Sequence, residues 1–249
     1  MNTVWNLWKG LVRLNRDDLL LLLKALGGIF LLIHIITALA VKFSGEGSAL
    51  MLSGVLLPIV AAVTLVLLTS IHVLYTFVQA IKFGQTRKRA LTLTLGLVGF
   101  ELLAATLLTC VLNALERAFA PGFWKWIYGA KMVSIGPESA VPIPEGLGYY
   151  RAHEDFLMIE VFSIGWRAPF LIILAGAVIG FILGALIQRY GQKGGWFVWG
   201  LWMIFFLLFP RLPWRTHEVT NVLIPVLCVL AVLALLWSVW SLLRAVVKA

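Results

Sequence analysis

The sequence predicts an all-α integral membrane protein, with six transmembrane helices preceded by an N-terminal amphipathic interfacial helix, and three observations lead there. The chain of 249 residues is 61% hydrophobic and only 12% charged, with a mean hydropathy of +0.99, far more apolar surface than a water-soluble domain of this size can hide. Apolar runs recur along nearly the whole length, and at about 20 residues per crossing they leave room for one lipid-embedded domain and little else. The net charge of +9 sits in short basic clusters between these runs, the pattern of membrane topology and not of a nucleic-acid footprint.

Residues Met1 to Arg16 place Val4, Leu7, Trp8, Leu11 and Val12 at helical spacing, with Asn2, Asn6, Lys9, Arg13 and Arg16 on the other face, which predicts a helix lying in the membrane interface. Trp5 and Trp8 suit the headgroup layer, and Asn15, Asp17 and Asp18 offer side-chain oxygens to cap the next helix. Spans are expected at Leu19 to Val41, Ala49 to Val78, Leu91 to Leu112, Pro169 to Ile187, Trp196 to Phe209 and Val222 to Leu243, the fourth with room to begin near Phe156. The fifth is short. Trp196, Trp199 and Trp202 anchor one end and Pro210 and Pro213 close the other; a re-entrant course here would move the C-terminus to the other side. No cleavable signal peptide is expected, because the first apolar run lacks a small-residue cleavage site.

With six spans and an interior N-terminus, the inner pieces carry the basic clusters (Lys9, Arg13, Arg16 and Lys24; Lys82 and Arg87 to Arg89; Arg189 and Lys193; Arg244 and Lys248), opposed only by Asp17 and Asp18. This bias predicts a multi-pass plasma-membrane protein with both termini cytoplasmic. The outer segment 120–167 mixes Phe123, Trp124, Trp126, Tyr128, Tyr149 and Tyr150 with Pro137, Pro142 and Pro144. It is expected to form a structured cap with some interfacial helix, either functional or simply covering helix ends.

Catalytic patterns are missing from the sequence. There is no GxxxxGK[ST] loop, no HExxH, no CxxC pair and no GxSxG elbow. His34, His72, His153 and His217 are dispersed and offer no pair at metal-ligand spacing, while Cys110 and Cys228 lie in apolar runs where a thiol packs as a small hydrophobe. No catalytic residue, metal site or cofactor in this chain is therefore expected, and no nucleic-acid partner.

The stretch from Gln79 to Arg89, QAIKFGQTRKR, turns the chain between two long apolar runs. An ordinary inner loop needs its basic residues but not the Phe-Gly-Gln-Thr step ahead of them. The sharper reading is a short transverse element offered to a cytoplasmic partner, with Gly84 allowing a tight turn, Phe83 as the anchor that a partner buries, and Arg87 and Lys88 as polar contacts. The order of amphipathic helix, span, second span ending in FVQAIKFGQTRKRA, and third span resembles the permease subunits of type-2 ABC exporters. Among them it is most similar to the small permeases of Gram-positive bacteria that export phenol-soluble modulins and antimicrobial peptides. Their Phe-Gly-x-(Thr/Ser)-Arg-Lys phrase corresponds to Phe83, Gly84, Gln85, Thr86, Arg87 and Lys88.

The resemblance implies an exporter of amphipathic peptides or other hydrophobic compounds. It implies a partner ATPase that carries ATP and Mg and docks at Ile81, Lys82 and the Phe83–Lys88 turn together with the N-terminal helix, and a second permease copy, most simply in a homodimer. The outer segment carries no further family signature, which leaves the cargo class open.

Ionisable residues in the spans are the next candidates, since a charge at the bilayer centre costs about 2.5–3.5 kcal/mol on the mildest scale. Glu101 is expected to face the translocation path or dimer interface, or else to fix helix packing as a protonated or locally paired group. His72 and His34 suit packed, hydrogen-bonded roles better than cargo binding, with His72 kept as a path candidate. Glu160 and Arg167, seven residues apart, would share one face of a continuous helix and hold a gate or an interfacial pair. Gly176, Gly180 and Gly184 form a close-packing face for another helix, within the chain or across a dimer. The alternatives to an exporter subunit are a small secondary transporter or channel, and further off an intramembrane enzyme.

Overall fold

The computed structural model describes residues 15–43, 48–129, 131–135, 158–162, 167–208 and 217–244. The interfacial helix expected from Met1 to Arg16, most of the outer segment with Tyr149, Tyr150 and His153, and Pro210 and Pro213 lie outside the described residues. The described chain is mostly helical. Its elements are α1 (Arg16–Phe43), β1 (Ser48–Met51), α2 (Ser53–Ile71), a π-helical turn (His72–Thr76), α3 (Phe77–Lys82), α4 (Arg87–Tyr128), β2 (Lys131–Ile135), β3 (Met158–Phe162), α5 (Arg167–Tyr190), α6 (Gln192–Leu208) and α7 (His217–Arg244).

Among the described residues, four helical stretches are long and apolar enough to cross a membrane: Arg16–Phe43, Ser53–Lys82, Arg87–Tyr128 and Arg167–Tyr190. The last two expected spans correspond to shorter pieces, α6 with 17 residues and the apolar stretch Cys228–Arg244 of α7. At 1.5 Å per residue α6 reaches about 25 Å, short of the roughly 30 Å hydrocarbon core.

Three expectations are corrected. The second span does not begin at Ala49, because Ser48–Met51 is a strand and the helix starts at Ser53; a short apolar run does not by itself distinguish strand from helix. Likewise the fourth begins at Arg167 and not near Phe156, since Met158–Phe162 is a strand. The third helix does not stop at Leu112 but continues through Asn113, Glu116 and Arg117 to Tyr128, 42 residues in all, because falling hydropathy marks where a helix leaves lipid and not where its hydrogen bonding ends.

The strands make the fold more than all-α. They form one parallel sheet in the order β1-β3-β2, with Ser48 opposite Met158, Met51 opposite Val161, Lys131 opposite Met158 and Ile135 opposite Phe162. Parallel pairing demands long crossovers, and the segment from α2 to α4 supplies the one between β1 and β2.

The chain divides into two compact units whose boundaries fall inside α2, α4 and α5. The first comprises Met1–Thr64 and Glu101–Ala175. Its core joins Ile33 and Val41 of α1, Ala49 and Met51 of β1, Ile159 and Val161 of β3, and Ala120 and Trp124 of α4. Trp124, which the sequence places in an outer cap, is fully buried, stacked at 6.2 Å on His34 and at 6.0 Å on Tyr128. The second unit comprises Leu65–Phe100 and Gly176–Ala249. Its core gathers Val73, Phe77 and Ala80 against Ala90 and Leu91 of α4, Phe181 and Ala185 of α5, and Leu242 of α7.

In the second unit α5 packs closely on α2. A Cβ at Gly180 would lie 2.6 Å from the Val66 carbonyl oxygen, and one at Gly184 would lie 2.7 Å from the Val73 Cβ. Ser70 uses the approach: its single hydroxyl proton is shared between the Val66 carbonyl at 2.7 Å and the Gly180 carbonyl at 3.0 Å. Gly176 is also buried.

Candidate functional site

The turn between α3 and α4 is built by two opposed signals. Gly84 has φ +81°, its N–H donates to the Ile81 carbonyl at 2.9 Å, and the Gln85 N–H donates to the Ala80 carbonyl at 3.0 Å. These are the paired bonds that end a helix through a left-handed residue, which only glycine adopts cheaply. Thr86 then opens α4. Its carbonyl accepts from Ala90 N–H at 2.9 Å and its hydroxyl from Arg89 N–H at 3.4 Å, the position where a short hydroxyl side chain satisfies a free helix amide.

The Gly and Thr of the phrase are thus explained by local structure: one stops a helix and the other starts the next. A separate transverse element is not formed, since only the residues from Phe83 to Thr86 separate α3 from α4. Local structure does not explain Phe83, which stands 83% exposed between Lys82 and a run of exposed polar residues reaching Arg89.

The turn is tied to the rest of the second unit by Arg87, whose Nη1 donates to the Leu243 carbonyl at 3.2 Å. That carbonyl lies in the last turn of α7, where free carbonyls and the helix dipole favour a cation. Beside it, Arg189 at the end of α5 donates to the Ser241 hydroxyl at 3.3 Å and sets its Cζ 5.3 Å from the Trp237 ring centroid and 5.7 Å from that of Trp240. Arg244 sits 4.3 Å from the Trp240 ring, and Tyr190 stacks on Trp237 at 6.3 Å. Guanidinium groups over ring faces keep their charge while shielding the apolar edge. The start of α4 and the ends of α3, α5 and α7 therefore meet in one basic, aromatic face. Sequence reasoning counted Arg189 and Arg244 only as inner charges; the spacing of Trp237, Trp240 and Arg244 along one helical face was the signal for the cluster.

The other candidates are placed as follows. His72 is buried at the head of the π-helical turn, its Nδ1 3.1 Å from the Thr76 hydroxyl. Glu101 is fully buried in α4, and one of its carboxylate oxygens lies within 4.8 Å of one of Asp18. Glu160 lies in β3 and Arg167 is the first residue of α5, so the shared helical face expected for them does not exist: a strand's two-residue period replaces the helical one at Glu160. His34 bonds the Phe30 carbonyl through Nδ1 at 2.8 Å. A buried pair that the sequence did not reveal joins Ser53 to Glu116, the hydroxyl donating to Oε1 at 2.6 Å. The two are 63 residues apart, and no local pattern links them.

No protein-family model, curated protein or solved structure matches this chain.

Proposed function

We propose that this chain is the membrane-spanning subunit of an ATP-driven exporter, a plasma-membrane permease with both termini inside. It would move amphipathic peptides or other hydrophobic compounds outward, with ATP and Mg held on a separate ATPase and a second permease copy completing the path. The observation that carries the reading is Phe83: a large aromatic residue exposed at the tip of a rigidly capped basic turn, without any packing role in its own unit. An exposed aromatic flanked by cations is what a docking partner can bury as an anchor. The link from Arg87 to the end of α7 would carry motion at the turn into the helices, since packed helices move as rigid bodies.

The test is co-purification of the chain with an ATPase encoded beside it, using Phe83→Ala combined with Lys88→Glu. Arg87 is left intact because its bond to Leu243 makes it part of the fold. Loss of the ATPase from a folded variant is expected. Transport by the wild-type chain alone, with no ATPase bound, would refute the reading. One observation favours a secondary transporter instead: the π-helical turn with buried His72 interrupts a long apolar helix, and such interruptions recur at functional sites. Export that follows an imposed ion gradient without ATP would decide for it.

A further inference from the structure

The second unit holds a groove between α5, α6 and α7 that none of the roles above uses. Its volume is about 630 Å³, and it is lined by Ile182, Leu186, Phe197 and Ala234, with Tyr190, Trp237 and Lys193 also on the wall. The volume lies inside the roughly 300–1,000 Å³ range of small-molecule sites. The groove exists because the chain reverses sharply between α5 and α6: Gly191 has φ +60°, and Gly194 brings α6 so close that a Cβ there would stand 2.6 Å from the Leu186 carbonyl oxygen. The groove is lined from α5, α6 and α7 together.

We infer that this groove binds one anionic phospholipid, its acyl chain along the apolar wall and its phosphate at Lys193. Lys193 is exposed and lines the groove, and among the described residues no side chain accepts a bond from it. Arg189 adds a second positive charge 5.5 Å from the Tyr190 ring. In sequence the whole unit contains one acidic residue, Glu218, against its several lysines and arginines, so the unit cannot neutralise this end by itself. Tyr190 and Trp237, stacked on each other, supply the amphipathic rings that sit at headgroup depth. An apolar slot, an aromatic collar and a lysine without an acidic partner among the described residues together match an amphiphile with a single anionic head. A zwitterionic lipid offers Lys193 a phosphate whose charge its own ammonium already offsets, so it gains less than a lipid with a net negative head, and a soluble anion gains nothing from the slot. The inference does not require an ATPase partner.

The experiment is native mass spectrometry of the purified full chain titrated with phosphatidylglycerol or phosphatidylcholine of the same acyl composition. Phosphatidylglycerol is expected to bind more tightly. Lys193→Gln is expected to weaken it about fivefold, the scale of one lysine at an anionic surface, while Lys125→Gln, in the last turn of α4 in the first unit, leaves it unchanged. Ala234→Phe, which fills the slot from a half-buried position on its wall, is expected to weaken both lipids. Equal affinity for the two lipids, or affinity for phosphatidylglycerol unmoved by Lys193→Gln, overturns the headgroup assignment. Binding unmoved by Ala234→Phe overturns the acyl-chain site.

Discussion

Gly180→Ala asks whether the glycine face of α5 belongs to this chain's own packing. The new Cβ would stand 2.6 Å from the Val66 carbonyl oxygen, 2.9 Å from the Val66 Cα and 3.0 Å from the Thr69 Cβ. Two of these three atoms are backbone, so no rotamer change relieves the contact and α5 must move away from α2. Overpacking of this kind costs about 1–3 kcal/mol. The displacement also stretches the Ser70 bond to the Gly180 carbonyl, worth about 1 kcal/mol, and alanine returns about 1 kcal/mol through its better helix propensity. The net expectation is a destabilisation of about 1–3 kcal/mol. Gly96→Ala and Gly99→Ala are the controls, because a Cβ at either position meets nothing within 4 Å; they should be neutral or stabilise by up to about 1 kcal/mol. Thermal unfolding of the purified chain in detergent, with light scattering for oligomeric state, reads both quantities. If Gly180→Ala unfolds with the wild-type protein while losing a dimer, the face is an interchain contact and the packing argument fails.

Three further outcomes are expected. Gly84→Ala should destabilise the chain by about 1 kcal/mol, since its left-handed conformation burdens any Cβ, and should slow no export beyond that loss; unfolding at the wild-type temperature would remove the helix-stop assignment. Ser53→Ala should cost about 1–3 kcal/mol by leaving the buried Glu116 carboxyl without its 2.6 Å donor, with Ser53→Thr retaining most of the stability, and equal stability of the Ala and Thr variants would show the bond to be idle. Glu101→Gln should lower export while leaving the amount of folded protein nearly unchanged, as measured by transport assay and size-exclusion chromatography; unchanged export would return Glu101 to a purely structural role.

Much of the helical framework was legible in order and approximate position, because lipid solvation selects apolar runs of one length and the basic clusters mark where such runs end. The α3–α4 turn was legible at Gly84, whereas Thr86, read only as part of the Phe-Gly-Gln-Thr step, proved to be the start of a helix. The parallel sheet was not. Ser48–Met51 and Met158–Phe162 are short apolar stretches whose strand form depends on partners 110 residues apart, and no local periodicity announces such a pairing. For the same reason Glu160 and Arg167 lost their shared face.

The sequence by itself determined that this chain is built of long apolar helices punctuated by basic turns, since hydropathy and charge are local properties that composition records directly. Tertiary structure alone decided which residues meet: Ser53 with Glu116, Gly180 with Val66, Arg87 with the end of α7, and Arg189 with Trp237 and Trp240. Those contacts follow from how helices pack and where the chain reverses. The four-residue period of Gly176, Gly180 and Gly184 announces a close approach without naming its partner, and the direction of a carbonyl leaves no period at all.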